Sequence, residues 1–382
     1  MKQDVASHPV YGVILFFISL WLVFTLTFIL SAPLSAKLSA ILAGASGLIP
    51  ALPLPWIDSL LRDGILRGVG TVLLFLPQIM ILFFCLAFLE LSGYLQRASL
   101  VMGRLLEKIG ISGQAFLPMV MSFGCNVPAI LATKSIADSK TRIQTILLIP
   151  FMSCSARLPV YILFTGLLFP GKEPLVIMSL YALGLLFAVL TGIISQRVFR
   201  IPRQMRVLRD VAPYRLPSLK ELIARMWSQA LAFLKNAGTM VVLIVVVIWF
   251  AANLPWGVAF ASQESLIGRL GSAIAPLFAP LGFGTWQAAV GLLTGFVGKE
   301  VIIGVLATLY PNPQVAIAQA FTPLSAYAFL VFVLLYLPCI ATFAVIKAET
   351  NWKWATASAL YGTALAYLMS LLIYQGGSLL WG

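Results

Sequence analysis

Four stretches of this chain, residues 10–30, 69–91, 175–194 and 239–252, contain Glu90 as their only charged side chain. A helix needs about 20 apolar residues to cross roughly 30 Å of hydrocarbon at about 1.5 Å per residue. The first three runs reach that length and the fourth nearly does. Inside hydrocarbon every backbone N–H and C=O must be satisfied within the protein. These runs are continuous rather than alternating, so the spanning element is a helix and not a barrel strand. The expected fold class is therefore all-α: a polytopic integral membrane protein with about 8 to 10 transmembrane or re-entrant helices.

Composition agrees, with 61% hydrophobic and 10% charged residues, against about 25% charged in an ordinary soluble domain. The first run is long for a signal-peptide core and no small-x-small cleavage pattern follows it, so it reads as a retained span. A formal charge of +13 would suggest nucleic acid in a soluble protein. Here the basic residues sit between apolar runs, where the positive-inside bias accounts for them, and no nucleic-acid partner is expected.

The chain divides into an N-terminal span with an interfacial segment (1–65), a first half with its following span (66–198), a basic cytoplasmic linker (199–229), a second half (230–350) and a C-terminal span (351–382). Prolines at 33, 50, 53 and 55 predict interfacial or re-entrant helices over 31–67. The amphipathic stretch 94–109 predicts a helix along the membrane surface. The linker region carries Arg197, Arg200, Arg203, Arg206, Arg209, Arg215, Lys220 and Arg225 against Asp210 and Glu221.

The two halves share a plan. Each has a long span, then a span interrupted by glycine: Ser122-Phe-Gly-Cys-Asn-Val-Pro-Ala129 in one, Gly295-Phe-Val-Gly-Lys-Glu300 in the other. Each then has a span with a cysteine near a proline, Pro150-Phe-Met-Ser-Cys154 and Pro338-Cys339. Helices interrupted at depth are tolerated only where the freed backbone faces protein or a wet cavity.

Charge within a span is costly, so Lys299 and Glu300 need a reason. One reading has Lys299 snorkelling and Glu300 capping broken backbone. The other has Glu300 facing a hydrated path as a hard oxygen ligand or proton acceptor, with Lys299 balancing its charge or touching a neighbouring helix. Glu90, near the end of its run, reads as interfacial. Arg157 is expected to bind freed carbonyls or to pair with Glu300.

A lone cysteine in a membrane helix is usually a small apolar filler, and Cys85 reads so. Cys125, Cys154 and Cys339 differ because each sits beside a proline or glycine that opens a helix. Opened turns free carbonyls, and thiolates are soft donors. Sulfur from these three, with Asn126, Ser153, Ser155 and Glu300, makes a candidate metal path for a borderline cation such as Fe2+. A passing ion also needs ligands few or labile enough to leave. Spacing alone leaves open whether these residues converge, and Mn2+, Co2+ and Zn2+ take overlapping ligands. Gly295 to Glu300 lacks the spacing of a phosphate loop. No nucleotide-binding motif is present, so no enzymatic activity and no permanently bound cofactor are expected.

These same segments carry a family resemblance. Gly124-Cys-Asn-Val-Pro-Ala129, Pro150-Phe-Met-Ser-Cys-Ser-Ala-Arg-Leu-Pro-Val-Tyr161, Gly298-Lys-Glu300, Tyr336-Leu-Pro-Cys-Ile-Ala-Thr342, Glu349-Thr-Asn-Trp-Lys-Trp354 and His8-Pro-Val-Tyr-Gly12 together resemble the membrane region of the ferrous iron transport protein B family. The likeness covers essentially the whole chain. It implies two gate-type halves, Cys125, Cys154 and Cys339 near an iron path, and uptake of Fe2+ across a bacterial cytoplasmic membrane as a multi-pass permease. It also implies a small accessory protein, and an N-terminal GTP-binding domain that would act as a separate or truncated-off partner, since this chain begins almost at its first span. Such a domain could dock on the basic linker. A homo-oligomer stays open, as do two alternatives: a gate-type carrier of a nucleoside-like or other divalent-metal substrate, and a non-transporting scaffold of an iron-uptake complex.

Overall fold

A computed structural model describes residues 9–48, 58, 67–108, 110–199, 215–234, 246–247, 249–255, 258, 262–309 and 313–381. Its helices are α1 (Pro9–Leu48), α2 (Arg67–Leu91), α3 (Tyr94–Lys108), α4 (Phe116–Ser122), α5 (Asn126–Ala132), α6 (Ser139–Leu148), α7 (Leu158–Leu168), α8 (Glu173–Phe199), α9 (Leu219–Phe233), α10 (Leu266–Phe278), α11 (Trp286–Thr294), α12 (Val301–Leu309), α13 (Pro313–Ala320), α14 (Pro323–Leu335), α15 (Ile340–Glu349) and α16 (Trp352–Trp381). The all-α membrane class holds, but the span count is lower than expected. Among the described residues five helices are long and apolar enough to cross a membrane, or six if the bent pair containing α10 and α11 is one span. The reduction has a local cause: several apolar runs are split into short helices, and part of the run at 231–252 lies outside the described residues.

Proline position explains many of the splits. Proline lacks an N–H, and the first turn of a helix has no use for one. Accordingly Pro128 sits in the first turn of α5, Pro159 in that of α7 and Pro323 in that of α14. Each begins a helix rather than interrupting it. Pro33 behaves differently. α1 continues through it to Leu48, where an interfacial segment was expected, because one lost hydrogen bond between helix-forming flanks bends a helix without ending it. The prolines at 50, 53 and 55 lie outside the described residues.

The chain forms two compact units, one of residues 1–149 and 188–239 and the other of 150–187 and 240–382. In the first, α2 packs against α1 and α9, and Arg225 of α9 meets Glu90 of α2 at 3.1 Å. Glu90 is thus paired at the end of its span. α9 opens with a capping box between Ser218 and Glu221, so a helix starts within the expected linker; residues 200–214 lie outside the described residues. The apolar face of α3 is buried through Leu95 and Ala98 against Phe116 and Val120. Gln144 of α6 donates to the Gly192 carbonyl at 2.9 Å and to Ser195 Oγ at 3.1 Å, fastening the C-terminal part of α8.

In the second unit α14 is buried along nearly its whole length, as expected of a helix apolar on every face. Phe164, Phe283, Phe321, Phe329 and Phe332 stack and edge around it. Ser370 of α16 donates to the Ala328 carbonyl at 2.9 Å. The α10 segment and α11 are bent by 102°. The turn between them needs Gly282, whose φ is +84° and whose missing Cβ leaves room for the Tyr374 ring.

Candidate functional site

In the second unit two helix breaks are stitched together. The first separates α11 from α12 at Gly295–Glu300. The second separates α14 from α15, where Tyr336 is extended and Pro338 cannot donate. Cys339, also with ψ 155°, is the residue before α15 and makes no side-chain cap. Its neighbour Ile340 donates its N–H to the Phe296 carbonyl of the first break at 2.7 Å. Tyr336 donates its hydroxyl to the Leu292 carbonyl at 3.1 Å, capping the end of α11. Lys299 Nζ donates to the Leu337 carbonyl at 2.8 Å and lies 3.1 Å from the centre of the Tyr336 ring. Cys339 Sγ is 3.1 Å from Thr342 Oγ1.

Lys299 is 2% exposed, so it is neither snorkelling nor solvated; it crosses between the breaks. Glu300 folds its carboxylate back towards its own N–H. That position is open because Gly298 has no side chain: a Cβ there would lie 2.9 Å from Glu300 Oε1. Glu300 Oε2 is buried with no hydrogen-bond partner. An acceptor left empty in a dry interior is costly unless a hydrogen donor or a cation visits it.

A third break lies between α6 and α7. Cys154 is extended, with ψ 161°, ahead of a short 3-10 turn, Ser155–Arg157. Arg157, 1% exposed, donates Nη1 to the Met152 carbonyl at 2.8 Å and Nη2 to the Pro150 carbonyl at 3.0 Å. It therefore binds freed carbonyls rather than the Glu300 carboxylate. Ser153 donates to Tyr161 Oη at 3.1 Å and also hydrogen-bonds Tyr181. Cys339 lies within electrostatic range of Cys154 and Glu300. Cys154, Cys339, Ser153 and Glu300 all lie in the second unit.

Cys125 and Asn126 belong to the other unit. Cys125 is the extended residue before α5, and Asn126 is the first residue of that helix. Asn126 is 4% exposed and its Oδ1 has no partner. Ser122 donates to the Met119 carbonyl just before the break. No disulfide joins the cysteines. Within neither unit do three His, Cys, Asp or Glu side chains gather to hold a metal ion, among the described residues.

Residues to which sequence reasoning assigned no role are Tyr336, Thr342, Tyr161 and Tyr181. The first three stand inside the motifs quoted above. A tyrosine beside a helix-breaking proline is the signal that would have singled out Tyr336, since its hydroxyl must find a freed carbonyl.

A family model described as Gate, nucleoside recognition, matches residues 72–168 and 234–353. A second, described as ferrous iron transport protein B C terminus, matches 177–229. A Staphylococcus aureus relative named Fe(2+) transporter FeoB is 40% identical over 395 residues, covering 99% of this chain and 59% of the relative. A Methanocaldococcus jannaschii relative of the same name is 41% identical over 394 residues, covering 100% of this chain and 59% of the relative. A Porphyromonas gingivalis relative named Fe(2+) transport protein A/Fe(2+) transporter FeoB fusion protein is 34% identical over 433 residues, covering 99% of this chain and 51% of the relative. No solved structure matches the chain. With motifs, breaks and both family models in agreement, this chain, which spans 59% of the length of its Staphylococcus aureus relative, belongs to the ferrous iron transport protein B family.

Proposed function

We propose that this chain carries Fe2+ across a cytoplasmic membrane, along a path that uses the cysteines at its helix breaks. The observation that carries the reading is the 40% identity, over 99% of the chain, to a protein named as an Fe(2+) transporter. Local features within each unit support such donors. Cys125, Cys154 and Cys339 are each the extended residue at the start of a helical segment. Asn126 Oδ1 and Glu300 Oε2 are buried acceptors without partners. Ser153 lies beside Cys154. A route with few strong ligands at any one point suits an ion that must move on.

Thiolate and carboxylate oxygen together suit a borderline divalent ion better than either donor alone. The chain itself supplies binding and passage. A GTP-binding domain and a small accessory protein are its proposed partners, the latter in line with the fusion named in the Porphyromonas relative.

The test is Fe2+ entry into vesicles holding the purified chain, followed by an enclosed iron-sensitive dye under anaerobic conditions. Cys125→Ser, Cys154→Ser and Cys339→Ser should each lower the flux while the protein remains in the membrane. Unchanged flux in all three would remove sulfur from the path. The nucleoside description of the matching Gate model favours a second reading, in which the breaks hold a nucleoside-like solute. Entry of radiolabelled uridine or adenosine into the same vesicles, with no Fe2+ flux, would select it.

A further inference from the structure

The region proposed to carry a cation already holds a buried lysine. Lys299 is buried at the break between α11 and α12, its ammonium bound to the Leu337 carbonyl and set over the Tyr336 ring. A carbonyl oxygen and an aromatic face are groups that would receive a dehydrated cation. The amine makes no hydrogen bond to Glu300 Oε2, which has no partner. It also stands within electrostatic range of Cys154, Cys339 and Glu300, and of a second buried cation, Arg157.

Arg157 has an evident structural task on the carbonyls of Met152 and Pro150. Lys299 does less of that work. Tyr336 already caps α11 and Ile340 already ties the two breaks, both without the lysine. An apolar or amide side chain would fill the same space. What a lysine adds is positive charge.

We infer that Lys299 stays protonated through its carbonyl and aromatic contacts and keeps the metal path weak: its tethered ammonium lowers the affinity of the Cys339 and Glu300 region for divalent ions, so that a bound ion leaves again and ions without a strong bond to sulfur are held too weakly to enter. The inference rests on the ferrous-iron reading above. Its physical basis is repulsion between like charges, which at a separation of several ångströms amounts to a factor of about ten or more in affinity even at the high effective dielectric of a protein interior. The factor is the same for every divalent ion. Ions with a strong sulfur bond stay above the threshold for binding, and oxygen-seeking ions fall below it.

The experiment measures Fe2+ flux against Fe2+ concentration in vesicles holding the full chain. The unaltered chain comes first: no flux at all removes the iron reading, and this inference with it. Given that flux, Lys299→Gln keeps a donor for the Leu337 carbonyl and loses the charge. Its KM is expected to fall about tenfold or more while the maximal rate also falls, because the ion is now retained. Mn2+, at a concentration that does not compete in the parent, should become an inhibitor. Lys299→Arg, charged at every accessible pH, should restore the parent KM to within about twofold. Lys299→Met serves as a second neutral variant should Lys299→Gln not reach the membrane. A neutral variant with unchanged or raised KM overturns the inference, and so does an arginine variant that behaves like glutamine. Failure of both neutral variants to assemble assigns Lys299 a structural role and overturns it as well.

Discussion

Replacing Arg157 tests whether the break that presents Cys154 is held by a side chain. The guanidinium is 1% exposed and makes a fork onto two carbonyls, Met152 at 2.8 Å and Pro150 at 3.0 Å. Arg157→Met keeps much of the volume and leaves both acceptors buried. Each orphaned acceptor costs about 1–3 kcal/mol, so the gross loss is about 2–6 kcal/mol. Removing a buried charge returns part of this, since the guanidinium was itself desolvated. The expected net loss is about 2–4 kcal/mol, near the upper range for single substitutions. Arg157→Lys, a point donor rather than a fork, should keep one bond and lose about half as much. Unfolding in mixed micelles, followed by tryptophan fluorescence, measures the loss. The alkylation rate of Cys154 by a small maleimide reports whether the break has loosened, and it should rise. A loss below about 0.5 kcal/mol for Arg157→Met, with Cys154 reacting at the parent rate, would refute the claim that Arg157 holds this segment.

Gly282→Ala places a side chain where φ is +84° and where a Cβ meets the Tyr374 ring; left-handed strain alone predicts a loss of about 1–2 kcal/mol, read by the same unfolding assay. Asp138 caps α6 by accepting from the Thr141 N–H at 2.8 Å and from the Thr141 hydroxyl at 2.6 Å, and these bonds hold its carboxyl below the usual range. A lowered folded-state pKa stabilises above the ordinary carboxylate pKa and loses that contribution as pH falls through the lowered value. Asp138→Ala should therefore destabilise at neutral pH by about 1 kcal/mol and flatten the acid limb of the stability curve; an unchanged limb would exclude the cap. The Arg225 to Glu90 pair is partly exposed, so Glu90→Gln should cost at most about 1 kcal/mol, and less in high salt; a larger loss would mean that α9 depends on it.

Part of this was legible because hydrophobicity is a property of composition over a window. Apolar runs too long for a soluble core imply helices in a bilayer whatever their neighbours are. The helix breaks were legible for a similar reason. Glycine and proline act locally, and the segments around Cys125, Cys154, Glu300 and Cys339 are broken where those residues stand. The same local rule misjudged Pro33, where flanking helix formers carry α1 onward, and the number of spans, because a run of apolar residues does not reveal how many short helices share it.

Side-chain roles depended on distance across the fold. Sequence alone established the membrane class, the broken helices and the set of polar residues that a bilayer would not otherwise tolerate. Only the tertiary structure decided what each one touches: Arg157 serves the carbonyls of its own break, Lys299 reaches 38 residues along the chain to Leu337, and Glu300 and Asn126 are left with an empty acceptor. The reason is physical. Apolar burial and backbone breaks are decided within a few residues, whereas a hydrogen bond or a charge finds its partner only after distant segments have packed.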